Sequence, residues 1–488
     1  MTTTTAATPV EQFYAQVTNV SDFIWGGTWN GEQVLLFPPM VVLLLGAGLW
    51  MMIGLRFYPI THLGAAFAGL FKKGKEEGQG EISPFAALST ALSGQIGTGN
   101  LAGVATAITL GGPGALFWMW ITALFGMALA FAEGSLAIRF RDKTPDGHYR
   151  GGPMTYIRRG LGKNWGWLAG LFAVGTLISS IATGNVIQAN SAATGIVGLF
   201  PALPAWGAGL IIAALVFIVI IGGIKSIGAT AEKIVPTMAI TYIVMAITAL
   251  VINYQDIPAT FGLIFDSAFN GHAATGGFLG AGMIMAIRAG VARGLFSNEA
   301  GQGSTPIAHA VAQTSDPARQ GRFAMMGTFI DTIIVCTCTG LVMLTVQGAF
   351  PSANGVQEHV WNSDLRGFDM TQAAFAAAFP TQVLGYPIGQ LIASAALILF
   401  VFTTLITWSY YGERAITHLF GDKLVLPFRL FWVLMIFIGS FQDLDFVWRL
   451  GDIANATMAL PNLIALLLLS GVVFKLAKGQ KDAGTDHG

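Results

Sequence analysis

The sequence predicts an all-α integral membrane protein of eleven transmembrane helices. Three observations predict it: too few charges to clothe a water-facing surface, apolar runs of bilayer length, and a lopsided distribution of Lys and Arg between alternate loops. Of 488 residues, 54% are hydrophobic and only 10% charged, against about 25% charged in soluble domains. The formal net charge is zero. The lipid bilayer is therefore the expected partner, and nucleic acid is not.

The apolar runs lie at about 37–57, 85–110, 115–138, 171–199, 206–224, 234–252, 276–307, 323–344, 388–411, 426–438 and 453–474. Most are near the ~20 residues a helix needs to cross. Loop charge gives the direction, because Lys and Arg concentrate on the cytoplasmic side. One set of alternate loops, with the C-terminal tail, carries 21 of them, from Arg56, Lys72, Lys73 and Lys75 to Lys475, Lys478 and Lys481. The opposite set carries Arg366 and Arg449. One span more or fewer would erase that split. The expected topology has the N-terminus outside and the C-terminus in the cytoplasm. The first residues, MTTTTAATPVEQ, lack the basic start of a cleaved signal peptide.

Two spans are interrupted. The second holds SGQIGTGNLAG (93–103), with four glycines and four polar side chains in eleven residues. The seventh reads GFLGAGMIMAIRAGVARGLFSNEAGQGSTPIAHA. Glycine costs a helix about 1 kcal/mol relative to alanine, and polar groups are costly in hydrocarbon. A helix that opens at mid-membrane to offer backbone groups to a ligand needs both features. The two interruptions are five spans apart. Five is odd, so the units that begin with them have opposite topology, the arrangement of an inverted five-helix repeat. This divides the chain into an extracellular segment (1–36), an extra first helix and cytoplasmic loop (37–84), a first repeat (85–254), an extracellular loop (255–276), a second repeat (277–476) and a cytoplasmic tail (477–488).

In the second span, Gly97, Thr98, Gly99 and Asn100 would unwind, freeing carbonyls for a cation and N–H groups for a carboxylate. The alternative is a packing face, since Gly99 and Gly103 form a GxxxG pair. In the seventh span the outer half-helix is expected to end near Gly294 and the inner to start near Asn298. Arg288, Arg293 and Glu299 there suggest a pathway or gate; a solvated loop is the alternative for Glu299. In the fourth span Gln188 and Asn190 suit a ligand's carboxylate or amine, or bonds between helices. In the ninth, Thr403, Thr404 and Thr407 offer hard oxygen ligands, or bond back to their own helix. Trp408 walls a site or anchors at the interface. Glu133 and Asp331 are isolated acids without an evident partner. Cys336 and Cys338, two apart on a helix, face different sides and suggest neither disulfide nor metal site. Walker A, HExxH and GxSxG patterns are absent, so an ATP-driven pump or a hydrolase has no visible machinery.

Three long motifs then carry a resemblance: TALSGQIGTGNLAGVATAITLGGPGALFWMW (90–120), GGPMTYI (151–157) and ARGLFSNEAGQGSTPIAHA (292–310). Together they resemble the alanine/glycine:cation symporters, over essentially the whole chain. The resemblance implies a LeuT-type fold, ten core helices in two inverted five-helix repeats plus one, within the APC superfamily. It implies uptake of alanine or glycine with sodium across a bacterial cytoplasmic membrane, with no cofactor beyond the coupling ion and no enzyme activity; a monomer is the expected assembly. By that similarity the substrate meets Thr98, Gly99 and Asn100 at one break and Phe296, Ser297 and Asn298 at the other, with Gln188, Thr404 and Trp408 completing the pocket. Sodium would sit on the carbonyls of Ser93 and Ile96 and the hydroxyls of Thr403 and Thr404, and Asn100 stands where relatives hold a second ion. Proton coupling remains the alternative, through Glu299. Lys233 is expected at the cytoplasmic start of its span, away from the site. A channel or substrate sensor on the same fold is the rival of another class.

Overall fold

The structure, a computed structural model, describes residues 8–71, 78–144, 147–270, 279–353, 355–442 and 445–480. Lys72, Lys73, Lys75 and Lys481, the expected start of the seventh span at 276–278 and the tail from 481 lie outside the described residues. Among the described residues the fold is all-helical apart from four two-stranded hairpins.

Before the first expected span lies a helix, α1 (Pro9–Gly26), where the sequence reading had only a segment. Its start is a capping box: the Thr8 hydroxyl accepts from the Glu11 amide while Glu11 reaches back, and Pro9 opens the first turn. It ends on Gly27 in the left-handed region, φ 65°. After hairpin β1–β2 (Thr28–Trp29, Glu32–Gln33) comes α2 (Pro39–Gly54), whose Gly48 allows close approach to Phe125. Short helices at Tyr58–Thr61 and Leu63–Phe71 follow.

The second expected span is two helices. Ser83 caps α3 (Pro84–Gln95), its hydroxyl accepting from the Ala86 amide at 2.9 Å. The helix stops at Ile96, whose ψ of 95° is extended, and resumes as α4 (Gly99–Gly111). Then come α5 (Gly114–Arg139), hairpin β3–β4 (Asp142–Lys143, Tyr149–Arg150), α6 (Pro153–Gly160), α7 (Lys163–Leu199), α8 (Ala205–Ile220) and α9 (Gly223–Ile252).

The expected loop at 255–276 is largely helical, as α10 (Ile257–Asn270). Its Ile264 and Ala268 are buried, and the Ser267 hydroxyl accepts from the Gly114 amide at 3.0 Å, binding the α10 face to the start of α5. The seventh expected span is again broken, into α11 (Leu279–Asn298) and α12 (Thr305–His309). The chain continues through α13 (Pro317–Thr345), hairpin β5–β6 (Gln347–Ser352, Gly355–His359), α14 (Gly367–Ala378), hairpin β7–β8 (Gln382–Val383, Tyr386–Pro387), α15 (Ile388–Phe420), α16 (Val425–Gly439), α17 (Asp445–Leu468) and α18 (Ser470–Ala477).

Six helices among the described residues are long and apolar enough to cross a membrane: α5, α7, α9, α13, α15 and α17. Three shorter apolar helices, α2, α4 and α8, accompany them. Many large apolar side chains face outward, among them Leu210, Ile218, Val244 and Leu430, whereas buried positions hold many polar groups. That inversion of a soluble protein's pattern fits hydrocarbon outside and a ligand site inside.

The second break is not where the sequence suggested. Gly290 and Gly294 lie within the continuous α11. They are packing glycines: a methyl group on Gly290 would sit 2.5 Å from the Ala115 carbonyl oxygen of α5. The interruption comes after Asn298, where Glu299 (φ 56°), Gly301 (φ 83°) and Gly303 (φ 89°) take left-handed conformations that end the helix. Lys233 also differs from expectation. It lies ten residues into α9 rather than at its start, because the helix begins at Gly223; it is exposed there.

Candidate ion and substrate site

The two breaks meet. A methyl group on Gly99 would lie 3.1 Å from the Phe296 ring and 3.2 Å from Ser297 Cα, so glycine lets the α4 start touch the α11 end.

On one side of the α3–α4 break stands α15. Thr404 Oγ1 lies 3.1 Å from the Ser93 carbonyl oxygen, 3.2 Å from that of Ile96 and 2.9 Å from that of Phe400. A hydroxyl has one proton and can donate to one of the three. The Ser93 hydroxyl adjoins Thr407 Oγ1, and both reach the Thr90 carbonyl, at 2.9 and 3.2 Å. All these residues are buried. Buried oxygens that outnumber their protons fit a hard cation, at the carbonyl end of a half-helix where the dipole is negative. Thr403 is not part of this cluster. Its hydroxyl bonds the Phe400 carbonyl at 2.9 Å and faces Met238 Sδ of α9 at 3.7 Å. Successive helix positions are about 100° apart, so Thr403 and Thr404 cannot both face α3; Thr407 takes the place expected for Thr403.

On the other side Asn100 meets an acid the sequence left unpartnered. Asn100 Nδ2 donates to Asp331 Oδ1 at 2.6 Å, while its Oδ1 accepts from the Gly97 amide at 2.8 Å. Asp331 Oδ2 accepts from Ser297 Oγ at 2.9 Å and Thr332 Oγ1 at 2.7 Å. Cys336 Sγ sits 3.4 Å from Asn100 Nδ2 and 3.2 Å from Ser297 Oγ. No Lys, Arg or His among the described residues pairs with Asp331. Asn298 also turns away from the break, capping it through Oδ1 to the Ala300 amide (3.0 Å) and donating to Thr332 Oγ1 at 3.2 Å.

Between these clusters is a cavity of about 10 Å³, room for a single water molecule. Gly97, Gly99, Gln188, Phe296 and Trp408 line it, as do Thr183, Glu299, Gln302 and Asn455. Gln188 Oε1 accepts from both the amide and the hydroxyl of Thr98, at 3.1 and 2.8 Å, so α7 caps the reopened helix. Trp408 is buried, donating through Nε1 to Glu299 Oε1 at 2.9 Å; it is no interfacial anchor. Ser304 Oγ donates to the other Glu299 oxygen at 2.5 Å. Asn455 Oδ1 accepts from Gln302 at 2.9 Å and Ser179 at 2.6 Å. Of the expected substrate residues, Gly99, Gln188, Phe296 and Trp408 thus face the cavity, and Thr98 adjoins it through Gln188. Asn100, Ser297 and Asn298 face Asp331 and Thr332, and Thr404 faces the carbonyl cluster. Asn190 instead donates to the Gly439 and Gln442 carbonyls, at 3.3 and 3.0 Å.

Above the cavity, on the α1 face, opens a vestibule of about 870 Å³. Phe296 lines the cavity and Trp448 the vestibule. Phe296 and Trp448 pack with ring centres 5.3 Å apart, Arg293 lies over both rings, and Arg293 pairs with Asp452 at 3.4 Å. The opposite face is closed by a different device. Arg141 Nη1 donates to the carbonyls of Ala310 (3.1 Å) and Ala312 (2.7 Å), and Nη2 to those of Gln79 (2.6 Å) and Thr314 (2.7 Å). One guanidinium so ties the entry to α3 to the exit from α12. The backbone adds a bridge between Ile82 and Ala312.

Half-helix ends held at bilayer depth around a small polar cavity, with a vestibule on one face and a seal on the other, are the working parts of a membrane transporter. The chain belongs to the sodium:alanine symporter family, whose model matches residues 24–486. It is 44% identical over 96% of its length to the sodium/alanine symporter AgcS of Methanococcus maripaludis, covering 97% of that protein. It is 43% identical to an uncharacterized transporter of Haemophilus influenzae, over 94% of both chains, and 35% identical to the amino-acid carrier protein AlsT of Bacillus subtilis, over 98% of this chain and 95% of that one. The protein is a transporter and not an enzyme. A crystal structure of the Eremococcus coleocola manganese transporter superposes with a TM-score of 0.51 at 14% identity, covering 83% of this chain and 82% of that one; at that identity the likeness is one of fold.

Proposed function

We propose that this protein takes up alanine and glycine in symport with sodium by alternating access. The reading has eleven membrane crossings, the N-terminus outside, and two inverted five-helix repeats that begin with the broken pairs α3–α4 and α11–α12. The broken pairs each count as one crossing, and α16 completes the set. On this reading the vestibule opens outward and Arg141 seals the cytoplasmic side.

The observation that carries it is the Thr404 hydroxyl facing two carbonyls of the broken helix. Sodium replaces the proton-poor contacts there, drawing together Ser93, Ile96, Thr404 and Thr407. Asp331, with Asn100 and Ser297, is the place for a second cation, since a buried carboxylate held only by hydrogen bonds lacks a counter-charge. The substrate binds at the cavity once the half-helices part to widen it, its carboxylate toward Thr98 and Gly99 and its ammonium toward Glu299. Phe296 and Trp408 bound the widened site and restrict it to a small side chain. One methyl is worth only about 1–3 kcal/mol in such a pocket, so glycine and alanine share it. Sodium rather than proton coupling is supported by Lys233, which lies exposed on α9 and not among the carbonyls that a replacing ammonium would have to reach.

The test is alanine uptake into proteoliposomes under an imposed sodium gradient and, separately, a proton gradient. Concentrative uptake with sodium alone supports the proposal. Uptake driven by protons alone, or mere equilibration as in a channel, overturns it.

A further inference from the structure

A further cavity, of about 290 Å³, lies beside hairpin β3–β4 and shares no lining residue with the cavity at Trp408. Arg150, Lys225, Arg414 and Arg429 line it, brought there by β4, the first turn of α9, the end of α15 and the start of α16. Its three carboxylates are already engaged, Glu81 by His148 at 2.9 Å and by the Tyr149 amide at 2.8 Å. Glu413 accepts from Arg414 at 2.6 Å and Arg429 at 2.7 Å, and Asp422 from Arg150 at 2.6 Å. The cations are not used up. The Nε atoms of Arg150 and Arg414 are buried without a hydrogen-bond partner, and Lys225 makes no ion pair among the described residues. A buried guanidinium N–H left unpaired costs about 1–3 kcal/mol. The backbone adds to the surplus of donors, because α9, 30 residues long, starts at Gly223 behind Gly222, which offers no side-chain cap.

The rim says what kind of anion comes here. Ile218 and Ile221 at the end of α8 and Leu426 and Leu430 of α16 are 52–68% exposed, and the Ile221 carbonyl accepts from the lining residue Arg429 at 3.0 Å. A cationic pocket flanked by outward apolar side chains at the end of membrane helices is the setting of a phospholipid headgroup.

The geometry points to a binding site for the phosphate of an anionic phospholipid, held by Arg150, Lys225 and Arg414 in the cytoplasmic leaflet. The leaflet follows from the orientation proposed above; the site itself does not. The headgroup joins the α9 start to the end of α15, the helix that carries Thr404 and Trp408.

The experiment is native mass spectrometry of the full chain titrated with phosphatidylglycerol or phosphatidylcholine, in detergent. Phosphatidylglycerol is expected to be retained at least about fivefold more tightly, the effect of one cation near a membrane surface. Lys225→Gln, at an exposed position, should remove about that factor. Asp422→Asn should move affinity the other way by releasing Arg150. Equal retention of the two lipids, or an unchanged preference in both variants, overturns the site. Displacement of phosphatidylglycerol by inorganic phosphate at matched concentration overturns the lipid assignment in favour of a free anion. The assay reads no transport, so failure of sodium-driven uptake leaves this result standing, and the reverse.

Discussion

Trp408 donates its indole N–H to Glu299 at 2.9 Å, joining the long helix α15 to the left-handed turn that breaks α11 from α12. The bond sets one wall of the small cavity and fixes a buried carboxylate whose other oxygen accepts from the Ser304 hydroxyl. Trp408→Phe keeps the wall and removes the donor. It is expected to raise the KM for alanine about tenfold, in line with about 1–3 kcal/mol for a buried acceptor left unpaired, while the maximal rate changes less. Initial rates of sodium-driven uptake across an alanine series check this.

The carbonyl cluster separates two neighbouring threonines. Thr404→Val is expected to raise the sodium concentration for half-maximal uptake by about tenfold or more, since one hydrogen-bonding group facing a charge is worth about 1.5–3 kcal/mol. Thr403→Val, facing Met238, should leave it within about twofold, as removing a hydroxyl outside the ion's reach alters no ligand. Uptake against sodium concentration in the two variants decides; equal effects would remove Thr404 from the ion site.

Asp331→Asn keeps the side chain's size and removes its charge. The expected result is uptake with fewer sodium ions per alanine, read as a shift in reversal potential and a lower Hill coefficient for sodium. Unchanged stoichiometry would leave Asp331 a structural acid.

Gly97→Ala tests the close approach of α3 and α15. Its methyl group would stand 2.6 Å from Thr404 Oγ1 and 3.1 Å from Gln188 Oε1. Overpacking of this kind costs about 1–3 kcal/mol, here at the ion site. Loss of uptake with normal membrane insertion is expected, measured by transport and by the amount of folded protein recovered.

Arg141→Lys keeps the charge and loses the planar fork that serves four carbonyls. Burial already pushes the Arg141 guanidinium below its usual pKa, the cost that its carbonyl partners offset. Alanine efflux from preloaded vesicles without sodium is expected to rise severalfold in the variant, because a weaker seal opens more often.

Much of this arrangement was legible in the sequence because helix breaks at membrane depth need glycine and polar residues in one stretch. The first break falls within the predicted 93–103. The second was misplaced because Gly290 and Gly294 have the same letters whether they break a helix or let it pack; only the left-handed Glu299, Gly301 and Gly303 tell the two apart. Thr403 and Thr404 were indistinguishable until the rotation of α15 about its axis was known. Asp331 was seen as an acid in need of partners, but Asn100 lies 231 positions away, and a local pattern has no access to that distance. Gln302, in the turn between α11 and α12, and Asn455, in α17, are 153 apart and were missed for the same reason.

The cavity between Gln188, Glu299 and Trp408 has room for one water and no more. A compartment of that size holds no chain of water molecules between the vestibule and the Arg141 seal. On the symport reading, ion and substrate then cross in one and the same movement of the half-helices.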